Sequence, residues 1–255
     1  MQLIFGAGDF YGVPLLDAQG NTISNPTPIK VGAMQEMSIE FSGDLKELHG
    51  QNQFAIAVGR GKVKSTGKIK GAQIHGAALN SLFFGNGVTA GTMMAISTDA
   101  VGTAIPSTPY TITPTPPASG TWVEDLGVLN SNAVPLTRVA SAPATGQYSV
   151  AAGVYTFAAA DTGNVVYINY RYSYTLAAAK RIALTNLPMG YAPTFGARMQ
   201  TTFQGKKTLV VLASVVSTKL MLFSTKQDDF SVPEIDFTAQ ADASGTTLGD
   251  IYVQE

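Results

Sequence analysis

The chain has 255 residues, 13% of them charged, and a formal net charge of −1. That balance excludes a protein held to nucleic acid by bulk charge, because no excess of cations exists to neutralise phosphates. An apolar fraction of 45% with Gly 26 and Pro 13 excludes a disordered chain and suits many short strands and turns, in one large β domain or a core with an elaboration.

There is no cysteine, so disulfides and thiolate metal sites are ruled out. The opening "MQLIFGAGDFYG" lacks a basic region followed by a long apolar run, so no secretory signal is expected. The most apolar stretch, "TLVVLASVVSTKLMLF", is interrupted by Lys219 and too short to span a bilayer. It reads as two buried strands, and no membrane partner is expected.

In chain order, residues 34 to 41, "MQEMSIEF", alternate. Met37, Ile39 and Phe41 share one face and Glu36, Ser38 and Glu40 the other, the pattern of a half-buried strand. A polar loop, "SGDLKELHGQN", follows, then "QFAIAVG" and the basic run "GRGKVKSTGKIKG"; the three strands predict an antiparallel meander. Arg60, Lys62, Lys64, Lys68 and Lys70 all occupy even positions, which on an extended strand makes a basic stripe on one face. The period then changes: Ile74, Ala78 and Leu82 recur every four residues, with Gly85 where a C-cap belongs, which predicts a single helix on the sheet.

From about residue 88 to 176 the character shifts. Five prolines between Pro106 and Pro117 exclude regular interior strand there, and "GQYSVAAGVYTFAAADTGNVVYINYRYSYT" predicts short strands broken at Gly153 and at Asp161–Gly163. This is a β-rich insertion or subdomain between core segments 1–87 and 177–255. In "TFGARMQTTF", Phe195, Ala197, Met199, Thr201 and Phe203 share one face and Arg198, Gln200 and Thr202 the other. "TLVVLASVV" is apolar on both faces, hence central. The final stretch carries Asp228, Asp229, Glu234 and Asp236, with no basic residue after Lys226.

No catalytic motif is complete. "GKVKSTGKI" has five residues between Gly61 and Gly67 where a phosphate loop needs four, and Ile69 stands where the metal-binding hydroxyl belongs. "GAGDFYG" sets its third glycine one place late for a dinucleotide fingerprint. The two histidines, His49 and His75, have no neighbour at metal-ligand spacing, and adjacent carboxylates such as Asp228–Asp229 point apart on a strand. The chain is expected not to be an enzyme and to need no cofactor. The basic stripe has three readings: a solvated strand face, a phosphate contact, or a complement to the acidic end of another copy. Without interleaved aromatics it lacks the stacking platform of single-strand binders.

The segment "PIKVGAMQEMSIEFSGDLKELHGQNQFAIAVGRGKVKSTGKIKGAQIHGAALNSLFFG" and the late "KLMLFSTKQDDFSVPEIDFTAQADASG" together resemble the major tail tube proteins of long-tailed bacteriophages. The match covers roughly residues 28 to 87 and 178 to 252. The resemblance implies a mainly β fold, a tail-tube β-sandwich or barrel with one helix plus the insertion. It also implies six subunits to a ring, rings stacked into a hollow tube in the virion tail, and assembly in the host cytoplasm. DNA would transit the channel without specific binding. Partners would be the chain itself and tape-measure, tail-terminator and distal tail proteins. By position, strands 34–41 and 51–58 and strands 194–204 and 207–215 are the hairpin candidates. Glu36, Glu40, Arg198 and Gln200 are the candidate channel-facing residues. The loop 42–52, with Asp44, Lys46, Glu47 and His49, is expected to reach the next ring. Arg60, Lys62, Lys64, Lys68 and Lys70 are expected to meet acids of an adjacent subunit, first an acidic arm carrying Asp228, Asp229, Glu234 and Asp236. Another ring-forming virion protein, or the tube of a contractile injection system, is the alternative.

Overall fold

A computed structural model describes residues 5–73, 76–225 and 227–254, and the chain divides into two units, 1–88 with 182–255 and 89–181. In the first unit, β1 (Asp9–Leu16), β2 (Ile29–Val31), β3 (Met34–His49) and β4 (Ala55–Gly71) precede a short helical segment. That segment is α1 (Gly76–Leu79), continued as one π-turn over Asn80–Phe84 and ended by Gly85 in the left-handed conformation, φ 62°. The C-cap expected at Gly85 is therefore present; Ile74 and His75, expected to begin the helix, lie outside the described residues.

The second unit holds β5 (Val88–Ser97), β6 (Thr103–Ala104), β7 (Thr111–Ile112), β8 (Thr121–Asn130), β9 (Thr137–Arg138), β10 (Gln147–Ala151), β11 (Val154–Phe157) and β12 (Val165–Ile182). The chain then returns through β13 (Thr194–Phe203), β14 (Lys206–Met221), β15 (Glu234–Gln240) and β16 (Gly249–Val253). The fold is mainly β, with antiparallel sheets and about one helix.

The first unit is one sheet in the order β2-β1-β13-β14-β15-β4-β3, with β16 also pairing β14. The core face carries Phe10, Ile69, Phe195, Ala197, Met199, Leu212, Val215, Ile235 and Phe237, and α1 with its π-turn adds Ala78, Leu79 and Leu82. Although three strands separate β3 from β13 in the sheet, Met37 and Ile39 of β3 line one apolar cavity with Met199, Thr208 and Val210. The sheet thus curls until its β3 end lies over β13 and β14, which half-buries Met37 and Ile39 and buries Phe195, Ala197 and Met199. Gly67 makes the closure possible: a Cβ there would overlap the Phe237 ring, which packs against Phe10 and Phe195 at centroid distances of 6.1 and 6.2 Å.

Four expectations are corrected. The three-stranded meander is a single two-stranded hairpin, because "QFAIAVG" and the basic run join in one 17-residue strand, β4. The loop 42–52 is strand as far as His49, since Ser42 to His49 pair with Lys64 to Ala55 across two register shifts. "TLVVLASVVSTKLMLF" forms one strand, β14, and not two; it absorbs Lys219 at a bulge between Ser217 and Lys219 that turns the ammonium outward. The acidic segment is no free arm from Glu234 onward: β15 lies inside the sheet between β14 and β4.

The second unit is a sandwich of two sheets. Residues of β8 and β12 (Val128, Val166, Ile168, Tyr170, Tyr172) pack on Tyr148, Tyr155 and Phe157 of β10 and β11. Asp125, its side chain only 3% exposed, accepts hydrogen bonds from the hydroxyls of Tyr148 at 2.7 Å and Tyr155 at 3.1 Å, and Arg138 stands at 3.5 Å. Burial, followed for Tyr148 by the Asp125 hydrogen bond, pushes both phenols well above the ordinary tyrosine range. The proline-rich stretch carries only the two-residue β7 and a turn of 3-10 helix over Pro117–Ser119.

Candidate assembly interface

The hairpin of β3 and β4 is longer than the core that supports it. Ser65, Gly67, Ile69 and Gly71 are buried, but from Ser42 round to Lys64 both strands are exposed save for Ala55 and Gly61, which are half-buried. The core-facing side continues outward past the end of the core. Phe41 pairs with Ser65, Gly43 with Val63, Leu45 with Arg60 and Glu47 with Val58. Opposed residues of an antiparallel pair share a face, so Phe41, Val63, Leu45 and Val58 lie on one face, with Arg60 and Glu47 among them. The four apolar residues are 43%, 51%, 66% and 59% exposed. A two-stranded ribbon of this kind is marginal in water without a further layer, and so large an apolar strip is ordinarily covered.

A bulge in the hairpin breaks the predicted basic stripe. The register shifts between the Gly43–Val63 and Leu45–Arg60 pairs. Arg60 consequently crosses to the apolar face: its Nε lies 3.0 Å, and Val63 Cγ2 3.6 Å, from where a Cβ on Gly43 would sit. Lys64, Lys68 and Lys70 stay on the polar face, so the five cations do not form one row.

On that polar face β3, β4, β15 and β14 assemble a charge network. Glu234, which is only 5% exposed, receives Lys219 Nζ at 2.9 Å and Lys68 Nζ at 3.1 Å on Oε1, with Lys70 Nζ at 4.0 Å from Oε2. Lys70 also bonds Glu36, and Lys219 Nζ lies 3.7 Å from Asp236. The hydrogen bond from Lys219, against the opposing effect of burial and with help from Lys68, holds the Glu234 carboxyl below its usual range. The Lys219 and Lys70 ammonium groups are correspondingly raised, by Glu234 and Glu36 respectively. A groove of about 510 Å³ runs along this face between Glu36, Glu40, Lys64, Lys68 and Asp236.

Two expected partnerships are therefore made inside one chain. Lys68 and Lys70 meet Glu234 of the same molecule across paired strands, Glu234 opposite Lys70 and Asp236 opposite Lys68. Those carboxylates are not offered to a neighbour. Asp228 and Asp229 are exposed, and among the described residues neither they nor Arg60, Lys62 and Lys64 make an ion pair. Asp44, Lys46, Glu47 and His49 all sit on the projecting part of the hairpin, where His49 Nε2 and Glu47 Oε2 are 2.9 Å apart.

The four channel candidates do not converge. Glu36 and Glu40 line the groove, whereas Arg198 and Gln200 stand on the outer side of β13. Because the sheet curls to bring the inner sides of β3 and β13 together, their outer sides face away from each other. Arg198 folds back over Gly196, and its Nη1 is buried without a hydrogen-bond partner among the described residues. Sequence reasoning named Lys219 as a break in an apolar run but missed its pairing with Glu234 and Asp236, and it missed the exposed apolar side chains of the hairpin, whose residues straddle a bulge.

No helix among the described residues is long and apolar enough to cross a membrane, and none of their His, Cys, Asp and Glu side chains cluster in threes as a metal site. No protein-family model matches the chain, and no curated protein sequence is significantly similar to it.

Proposed function

We propose that this chain is a structural protein that builds the tail tube of a long-tailed bacteriophage. It assembles as hexameric rings stacked into a hollow tube through which DNA is delivered. The observation that carries the reading is the overhanging hairpin: an amphipathic ribbon whose apolar face runs past its own core needs a second molecule to cover it. A neighbouring copy can do so by completing a sheet or barrel across the subunit boundary. That also removes the open edge of β3, which in a lone molecule would invite uncontrolled pairing. The order of segments that resembles tail tube proteins falls largely in the same unit as the hairpin. Tape-measure, tail-terminator and distal tail proteins are the further partners this reading requires.

Negative-stain electron microscopy of the purified chain over a wide concentration range tests the proposal. Rings or long hollow tubes are the expected result. Solitary molecules at every concentration overturn it.

A further inference from the structure

The second unit contains a cavity of about 400 Å³, within the size range of small-ligand sites. Its floor is formed by Asp161, 5% exposed, with Ile105 and Val166 at 2% and 1%. One carboxylate oxygen of Asp161, Oδ2, accepts the Gly146 N–H at 2.9 Å. The other accepts no hydrogen bond from the described residues, so one oxygen of this largely buried carboxylate is left for a ligand or for water. On the wall, the Asn130 side-chain carbonyl is committed to the N–H groups of Asn132 at 2.9 Å and Val134 at 3.0 Å, which leaves its amide N–H₂ to donate. Asn164 contributes a second amide at the rim, and Leu136 an aliphatic wall.

The chemistry narrows the ligand. An anion is excluded by the carboxylate and by the absence of any Lys, Arg or His from the lining. A divalent cation needs several oxygen ligands of its own, and Asp161 is the one charged residue among those that line the cavity. A purely apolar ligand would leave the carboxylate oxygen unpaired at its desolvation cost. A neutral ligand with adjacent hydroxyl groups and a C–H surface meets all three conditions. A sugar hydroxyl donates to the carboxylate while its neighbour accepts from the Asn amides, and the ring rests on Ile105, Leu136 and Val166. We propose that this cavity binds a single saccharide residue, independently of whether the chain forms tubes.

Saturation-transfer NMR and calorimetry on the full chain, with glucose, galactose, rhamnose and N-acetylglucosamine as probes, test the assignment. At least one sugar should bind saturably with Kd of about 1 mM, as expected for a small open site. Asp161→Asn keeps an acceptor for Gly146 and should weaken binding about tenfold or more. Asn164→Ala, at the exposed rim, should weaken it without disturbing the fold. The proposal is overturned if none of the sugars binds. It is equally overturned if binding survives both substitutions, or if methylammonium saturates the site and the sugars do not.

Discussion

Replacing Leu45 and Val58 together by Ser tests whether the overhanging face is an assembly surface. The two residues are 66% and 59% exposed. Fully burying side chains of this size stabilises by about 1.5–3 kcal/mol each. Covering the exposed fractions therefore contributes about 1–2 kcal/mol per residue, and about 2–4 kcal/mol for the pair. At about 1.4 kcal/mol per decade, the concentration needed for assembly should rise roughly 30- to 700-fold. The isolated molecule should hardly notice, because both side chains already stand in water and the ladder around Leu45–Arg60 and Glu47–Val58 is made by backbone. Sedimentation velocity and electron microscopy across a dilution series measure the first effect, and thermal unfolding of the dissociated chain measures the second. Assembly at an unchanged concentration would refute the reasoning. So would a loss of assembly matched by an equal loss of folding, which would make the stripe part of the molecule's own core.

Four further outcomes are expected. Glu234→Gln should lower the melting temperature most at neutral pH. The folded carboxyl titrates below its unfolded value, so its contribution is present above the ordinary Glu range and fades as pH falls through the folded pKa; a variant-to-parent difference independent of pH would contradict this. Gly67→Ala should cost about 1–3 kcal/mol by forcing the Phe237 ring aside, and Phe237→Leu in the same chain should recover part of it, so additive losses in denaturant titrations would contradict the contact. Asp125→Ala should destabilise the second unit by about 2–5 kcal/mol, since it strands two buried phenol hydroxyls, and calorimetry showing no change would be inconsistent with the hydrogen bonds described. Reversing Lys62 and Lys64 to Glu should raise the assembly concentration about tenfold or more, and adding Asp228→Lys and Asp229→Lys should restore it. Assembly indifferent to the first pair of changes would argue against a charged contact at the hairpin.

Periodicity made much of the fold legible. The alternation of Met37 and Ile39 with Glu36 and Ser38 marked β3, and that of Phe195, Ala197 and Met199 marked β13, because a half-buried strand enforces a period of two. Gly85 marked the end of the helical segment for the steric reason that suits it to a left-handed cap. The failures also have physical causes. Ser42 to His49 read as a loop because nothing of their own chain buries them, so no periodic apolar pattern is needed until a partner is considered. Bulges at Gly43–Leu45 and Ser217–Lys219 shift parity by one residue, and parity is what every face assignment assumed. That is why Arg60 was assigned to the wrong face and the partners of Lys219 were not foreseen. The pairing of Glu234 with Lys68 and Lys70 joins residues more than 160 positions apart, and a charge pattern along the chain cannot specify which distant strands will become neighbours.

The distribution of paired and unpaired charge sets a limit on how this surface can treat a polyanion. Binding to phosphates draws its affinity from counterions released when cations meet the backbone. A lysine already held by a carboxylate of its own chain has few counterions to release and would have to surrender that partner first. Lys68, Lys70 and Lys219 are in this position, facing Glu234, Glu36 and Asp236. Glu36, Glu40, Asp236, Lys64 and Lys68 line the groove and Glu234, Lys70 and Lys219 join them through ion pairs, four acids against four lysines, so this face is close to neutral. Lys62, together with Arg60 on the opposite face, keeps its charge unpaired on the projecting hairpin among the described residues, and that is where a neighbouring copy is proposed to dock. On the tail-tube reading proposed above, the arrangement would separate two tasks: charge available for steering one subunit onto the next, and a body that gives passing DNA little reason to stop.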